Sequence, residues 1–197
     1  MSQLFLQSLI WTDYRLAILF TVILPILILI WSFAQKAEAI QRLIMIYWRV
    51  SSLLAITVYL MIGSHPISFI TGLCGRILIP LSLWFWADLN EEISDQFQTP
   101  LKLTFTSWRW AVSLYCGLGA IASLPFIKCG FSINAFRTEF CQAWLYPAFG
   151  FRELFHPTTK PEFLGFLGIV ALIIYILYLG YFVMFRLSKQ GRSAAEL

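Results

Sequence analysis

The chain has 197 residues, of which 59% are apolar and 12% charged. That charged share is about half the share found in soluble domains, so a water-soluble globule is excluded and a membrane protein is expected. The net charge of +4 is no nucleic-acid footprint, because the basic residues stand singly at the ends of apolar runs and do not cluster on one face.

The length fits one domain. Five apolar runs of spanning length use about half of it, which leaves no soluble domain of useful size. The expected fold class is therefore all-α, an integral membrane helical bundle of about five transmembrane helices.

The first run covers residues 16–34, carries no charge and contains Pro25. It exceeds the apolar core of a signal peptide, and Asp13 and Arg15 precede it where a basic stretch would be needed, so an uncleaved helix is expected. Lys36, Glu38 and Arg42 close it. The second run covers 43–61, with Arg49 near enough to its end to snorkel. Gly63, Ser64, His65 and Pro66 form a tight turn into the third run, 67–86, which holds Arg76 near its middle and Pro80 beyond. A polar connection follows, and Trp108, Arg109 and Trp110 announce the fourth run, 111–127. A long loop, 128–162, leads to the fifth run, 163–185, which has 23 residues and no charge. The tail is basic. Four spans would result if the second and third runs formed one re-entrant hairpin. The runs are too long and continuous for a membrane β-barrel, and the inverted repeats of many transporters are absent.

Basic residues set the expected orientation. With five spans, one side carries eight (Lys36, Arg42, Arg49, Lys102, Arg109, Arg186, Lys189, Arg192) and the other five (Arg15, Lys128, Arg137, Arg152, Lys160). The positive-inside rule then puts the N-terminus outside and the C-terminus in the cytoplasm. Cys129 and Cys141 fall in the long outer loop, where an oxidising compartment would let them pair. Cys74 and Cys116 lie within spans.

Arg76 is the most informative single residue. A charge near the bilayer centre costs several kcal/mol unless paired or hydrated, and none of the five runs contains an Asp or Glu. Arg76 is therefore a candidate ligand or partner contact: backbone carbonyls, an anionic lipid, a cofactor carboxylate or another subunit could satisfy it, or it could snorkel outward. Pro80 lacks the N–H that would bond the carbonyl of Arg76. Small residues, Gly119 with Ser123 and Gly165 with Gly168 and Ala171, mark faces for close helix packing.

Asp88, Glu91, Glu92 and Asp95 share one face if helical. One acidic cluster lacks the converging ligands of a Mg²⁺ site, so it reads as a solvated turn or a cytoplasmic docking patch. His65 and His156 could ligate a haem, but they fall in a turn and a loop, whereas haem histidines of membrane bundles usually sit inside spans. No metal or cofactor is expected. The outer loop, with Phe131, Phe136, Phe140, Trp144, Tyr146, Phe149, Phe151 and Phe155, is too aromatic for water. It is expected to lie on the membrane surface, cap the bundle or dock a partner. Phosphate loops, serine elbows and zinc-protease motifs are absent, so no catalytic residue is expected.

Several segments carry a family resemblance. They are Ile10-Trp-Thr-Asp-Tyr-Arg15, Lys36-Ala-Glu-Ala-Ile-Gln-Arg42, Ile46-Tyr-Trp-Arg49 and Arg76-Ile-Leu-Ile-Pro80. With them go Ser82-Leu-Trp-Phe-Trp86, Asp88-Leu-Asn-Glu-Glu92, Thr106-Ser-Trp-Arg-Trp110 and the ending Phe185-Arg-Leu-Ser-Lys-Gln-Gly-Arg192. Over nearly its whole length the chain resembles a family of cyanobacterial multi-pass membrane proteins known chiefly as a domain of unknown function. The resemblance implies a thylakoid or plasma membrane and transfers no activity.

Three functions remain open at this point. The first is a non-catalytic accessory or assembly component of a photosynthetic or respiratory membrane complex. The second is a transporter or channel subunit for an anion or small solute, drawn in by Arg76. The third is a membrane enzyme acting on lipid or isoprenoid through Asp88 and Glu92. The partners expected are membrane lipids and another membrane protein complex, with no nucleic acid.

Overall fold

The computed structural model describes the backbone of residues 3–187 and the side chains of residues 7–185. Lys189 and Arg192 of the orientation count lie outside the described residues, as does the side chain of Arg186. Every regular element among the described residues is helical: α1 (Gln3–Ile18), a π-helical turn (Leu19–Ile23), α2 (Leu24–Ala34), α3 (Glu38–Ile62), α4 (Ile67–Trp84), α5 (Ala87–Asp95), α6 (Pro100–Ser123), the short α7 (Ile127–Phe131), α8 (Ile133–Phe136) and α9 (Glu139–Ala143), α10 (Tyr146–Phe155) and α11 (Pro161–Tyr181). Five of the resulting helices are long and apolar enough to cross a membrane: Gln7–Ala34, Glu38–Ile62, Ile67–Trp84, Pro100–Phe131 and Pro161–Phe185. The second and third are separate helices of 25 and 18 residues, each of spanning length.

Two boundaries need correction. The first helix begins well before residue 16, because the charge of Asp13 does not end it; the carboxylate finds a cation on α4. The fourth begins at Pro100, eleven residues before the expected 111. Its start is specified locally, since Pro100 needs no N–H in the first turn and the Thr99 side chain accepts from the Lys102 backbone N–H at 3.2 Å. The polar connection is thus confined to α5 and a short link.

α3 is the central helix, packed against α2, α4 and α11, while α6 packs on α2 and α4. The largest core cluster gathers Leu43, Ile44 and Tyr47 of α3, Ile79 and Leu83 of α4, and Phe105, Trp108 and Val112 of α6. Glycine sets two close approaches. A Cβ built on Gly165 would stand 2.6 Å from the Gly63 Cα, and one on Gly168 would stand 3.0 Å from the Leu60 backbone nitrogen. Without a hydrophobic force between helices in lipid, such backbone proximity is what makes packing favourable.

α5 covers one end of the bundle. It buries Leu89 and Ile93 and turns Glu91, Glu92 and Asp95 to the surface. Lys102 and Arg109, counted above as topology signals, are also structural and only 8% exposed. The Lys102 ammonium donates to the carbonyls of Ser94 (2.8 Å) and Gln96 (2.7 Å), which tethers the end of α5. The Arg109 guanidinium lies 4.1 Å over the Trp84 ring and donates to Asn90 Oδ1.

The aromatic loop caps the opposite end as four short helices. Phe69, Phe126, Phe136 and Leu145 form a cluster around the Cys129–Cys141 disulfide, whose Cα atoms are 5.9 Å apart. Phe140 stacks on Phe126 at 4.3 Å. Phe131 and Phe155 remain exposed.

Pro25 shapes the first span. A proline cannot donate to the carbonyl four residues back, here that of Thr21, and the π-helical turn just before it loosens the neighbouring bonds. Two side chains take over. The Tyr47 hydroxyl donates to the Thr21 carbonyl at 2.7 Å and the Trp108 indole N–H to the Phe20 carbonyl at 2.8 Å. The two rings meet edge to face at 5.2 Å.

Candidate functional site

α4 carries Arg76 midway along its length, and α1 carries Asp13 at the same level. The guanidinium Nη2 donates to Asp13 Oδ2 and forms an ion pair with it. Tyr115 of α6 completes the group: its hydroxyl donates to Asp13 Oδ1 at 2.9 Å and lies 3.0 Å from the Asp13 carbonyl oxygen. The guanidinium also sits 5.7 Å from the centre of the Tyr115 ring. Three helices therefore contribute one residue each.

Gly119 makes room for this arrangement. A Cβ there would overlap Arg76 Nη1, so no larger residue fits without moving the guanidinium. Gly119 lies one turn beyond Tyr115, towards the disulfide end of the bundle. The side chain thus leans to that end and also finds a carboxylate. None of the five apolar runs offers Arg76 an acid, yet the helix that carries the first run extends back to Asp13, which pairs with it. Asp13 and Arg15 interrupt the apolar run ahead of residue 16, and Leu9, Ile10 and Trp11 before them are the signal that the helix continues. Tyr115 gave no signal of its own beyond its spacing of four from Gly119.

The ion pair flanks a cavity of about 530 Å³ between the first span and the rest of the bundle. Its walls come from α1 (Trp11, Tyr14, Ala17), α3 (Trp48, Ala55, Tyr59), α4 (Gly72, Arg76), α6 (Tyr115, Cys116) and α10 (Phe151, Phe155). The surface is mostly apolar and aromatic. Its serine and threonine hydroxyls are turned onto their own helices: Thr21, Ser51, Ser52, Thr57 and Ser123 donate to the carbonyls of Ala17, Trp48, Arg49, Leu53 and Gly119. The Asp13 side chain is 26% exposed and that of Arg76 11%, so the pair is reachable. A second, smaller cleft of about 360 Å³ runs between α3, α4 and α11, with Arg49 and Tyr178 bonded to each other at 3.4 Å on its wall.

The other expected residues do not join this site. Asp88, Glu91, Glu92 and Asp95 sit on α5, and no group of three His, Cys, Asp or Glu positioned for a metal occurs among the described residues. His156 Nε2 is 3.0 Å from the Tyr59 hydroxyl, and His65 packs against Gly165. The disulfide belongs to the cap.

No curated protein and no solved structure matches the chain significantly. A family model described as protein of unknown function (DUF3177) matches residues 7–195, nearly the whole chain, and this helical protein with five helices of membrane-spanning length therefore belongs to that family.

Proposed function

We propose that this chain is a non-catalytic accessory or assembly component of a photosynthetic or respiratory membrane complex, in the thylakoid or plasma membrane that the family resemblance implies, and that it binds a molecule there without transforming it. The observation that carries this reading is the cavity beside Asp13, Arg76 and Tyr115. Its charges offset each other and its serine and threonine hydroxyls donate to backbone carbonyls. An activated serine or threonine nucleophile would need a neighbouring base within hydrogen-bond reach, and these serine and threonine hydroxyls bond backbone carbonyls instead. A mostly apolar pocket with few polar groups supports recognition.

An anion path has less support, because Arg76 already holds a carboxylate and the walls beside it are apolar. In the proposed setting the membrane is a thylakoid or plasma membrane of a cyanobacterium, with the N-terminus outside. The exposed Glu91, Glu92 and Asp95 of α5 then form a cytoplasmic docking patch.

The test is to tag the C-terminus, solubilise native membranes gently, identify what co-purifies and record an absorption spectrum of the pool. A stoichiometric membrane complex supports the proposal. A clean monomer or homo-oligomer without such a complex refutes it.

A further inference from the structure

The cavity has a shape as well as a volume. Along α3 its lining runs from Trp48 to Met61, which at the helical rise is about 20 Å. Its volume of about 530 Å³ falls within the usual range for small-molecule sites, about 300–1,000 Å³. A long, narrow space of this kind fits an extended hydrocarbon chain better than a compact ring system. Trp11, Tyr14, Trp48, Phe126, Trp144 and Phe151 give it aromatic walls along that length.

The charge balance limits the head group. Arg76 and Asp13 sum to zero, and both Asp13 carboxylate oxygens already accept a hydrogen bond. A guanidinium has five N–H donors, of which one is bonded to Asp13, so Arg76 keeps donors for an incoming acceptor. A charged head would bring an uncompensated charge into a low-dielectric site, at a cost of several kcal/mol. An uncharged head with a carbonyl meets the donors without that cost.

Access is lateral. Ser52 and Ala55 on α3 and Val22 on the first span are exposed and line the cavity, so it opens between these two helices along their lipid-facing sides. At the disulfide end α10 closes on α1, where a Cβ built on Gly150 would stand 2.8 Å from the Trp11 ring.

We propose that the cavity binds a neutral lipophile with one long hydrocarbon chain and an uncharged, carbonyl-bearing head that accepts a hydrogen bond from Arg76, entering from the bilayer between the first span and α3. This deepens the binding reading given above and rests on it. An acylglycerol and an isoprenoid quinone share that chemistry.

The full chain in phospholipid nanodiscs would be titrated with decylubiquinone and with brominated monoolein, reading tryptophan fluorescence quenching, with brominated oleate as the anionic control. Saturable quenching by either neutral probe is expected, and the one that saturates identifies the source. Ala55→Phe, which fills the lateral opening at an exposed position, should weaken it by at least about tenfold. Ala17→Phe is the second variant, and unchanged circular dichroism shows which of the two has folded. Quenching that never saturates, that is the same in the folded variant as in the parent, or that is as tight for oleate as for the neutral probes, overturns the proposal. The two readings fail separately: a complex that co-purifies but saturates with neither probe sinks this inference alone, and a saturable site in a chain with no partner sinks the accessory role alone.

Discussion

Replacing Asp13 with Ala strands the Arg76 guanidinium in the bundle and removes the carboxylate acceptor of Tyr115, leaving its hydroxyl only the backbone carbonyl of residue 13. The size of the effect follows from burial. An exposed ion pair contributes up to about 1 kcal/mol, whereas breaking a fully buried one costs about 3–5 kcal/mol. With side-chain exposures of 26% for Asp13 and 11% for Arg76, the loss should fall between these limits, about 2–3 kcal/mol. For a chain of this length that corresponds to a drop in Tm of about 5–10 °C. The assay is thermal unfolding in detergent micelles followed by circular dichroism. The decisive comparison is the double variant Asp13→Ala/Arg76→Met. It removes the stranded charge and should recover most of the loss, because an apolar pair of similar volume often replaces a buried ion pair without penalty. If the double variant is as unstable as Asp13→Ala alone, the penalty does not come from an unpaired Arg76 and the reasoning fails.

Two further expectations follow from the packing. Tyr47→Phe leaves the Thr21 carbonyl buried without its donor and should cost about 1–3 kcal/mol; in a Pro25→Ala background, where a backbone N–H is restored, the same substitution should cost clearly less, and equal costs in chemical unfolding would refute the link to Pro25. Cys129→Ser should destabilise the cap by about 2–3 kcal/mol, because the disulfide closes a loop with a sequence separation of 12; limited proteolysis of the 128–162 segment with and without reductant reads this, and equal cleavage rates would contradict it.

The spans were legible because apolar run length is a direct consequence of bilayer thickness, and all five emerge at helices of the expected type. The boundaries at Asp13 and Lys102 were not legible for a common reason. A hydropathy reading treats each charge as a cost, yet Asp13 is offset by Arg76 and Lys102 by the carbonyls of Ser94 and Gln96. The partner of Asp13 is 63 residues away on another helix, and even the carbonyls that hold Lys102, eight and six residues back, come within reach only once α5 folds against α6. The candidate site was half legible for the same reason: Arg76 stands out in an apolar run, while its partners depend on which helices are neighbours. Gly165 and Gly168 announced themselves as small residues, but Gly63 and Leu60 as their counterparts emerge only from the packing.

The attachment of the first span explains why a cavity forms beside it. Apolar side chains gain little by leaving lipid for protein, so this helix, only 22% buried over its most apolar window, is not held chiefly by its apolar face. It is held by directional bonds at two levels. Asp13 meets Arg76 and Tyr115, and further along the Phe20 and Thr21 carbonyls meet Trp108 and Tyr47. Polar attachment fixes position without requiring close contact along the whole length. The helix can therefore stand off α3 and leave a passage lined by Ala17, Ala55 and Gly72. The proline that frees one carbonyl and the acid that neutralises Arg76 act together in this: each turns an unfavourable intramembrane polar group into an attachment point, and the space between the attached helix and α3 is where a lipophile fits.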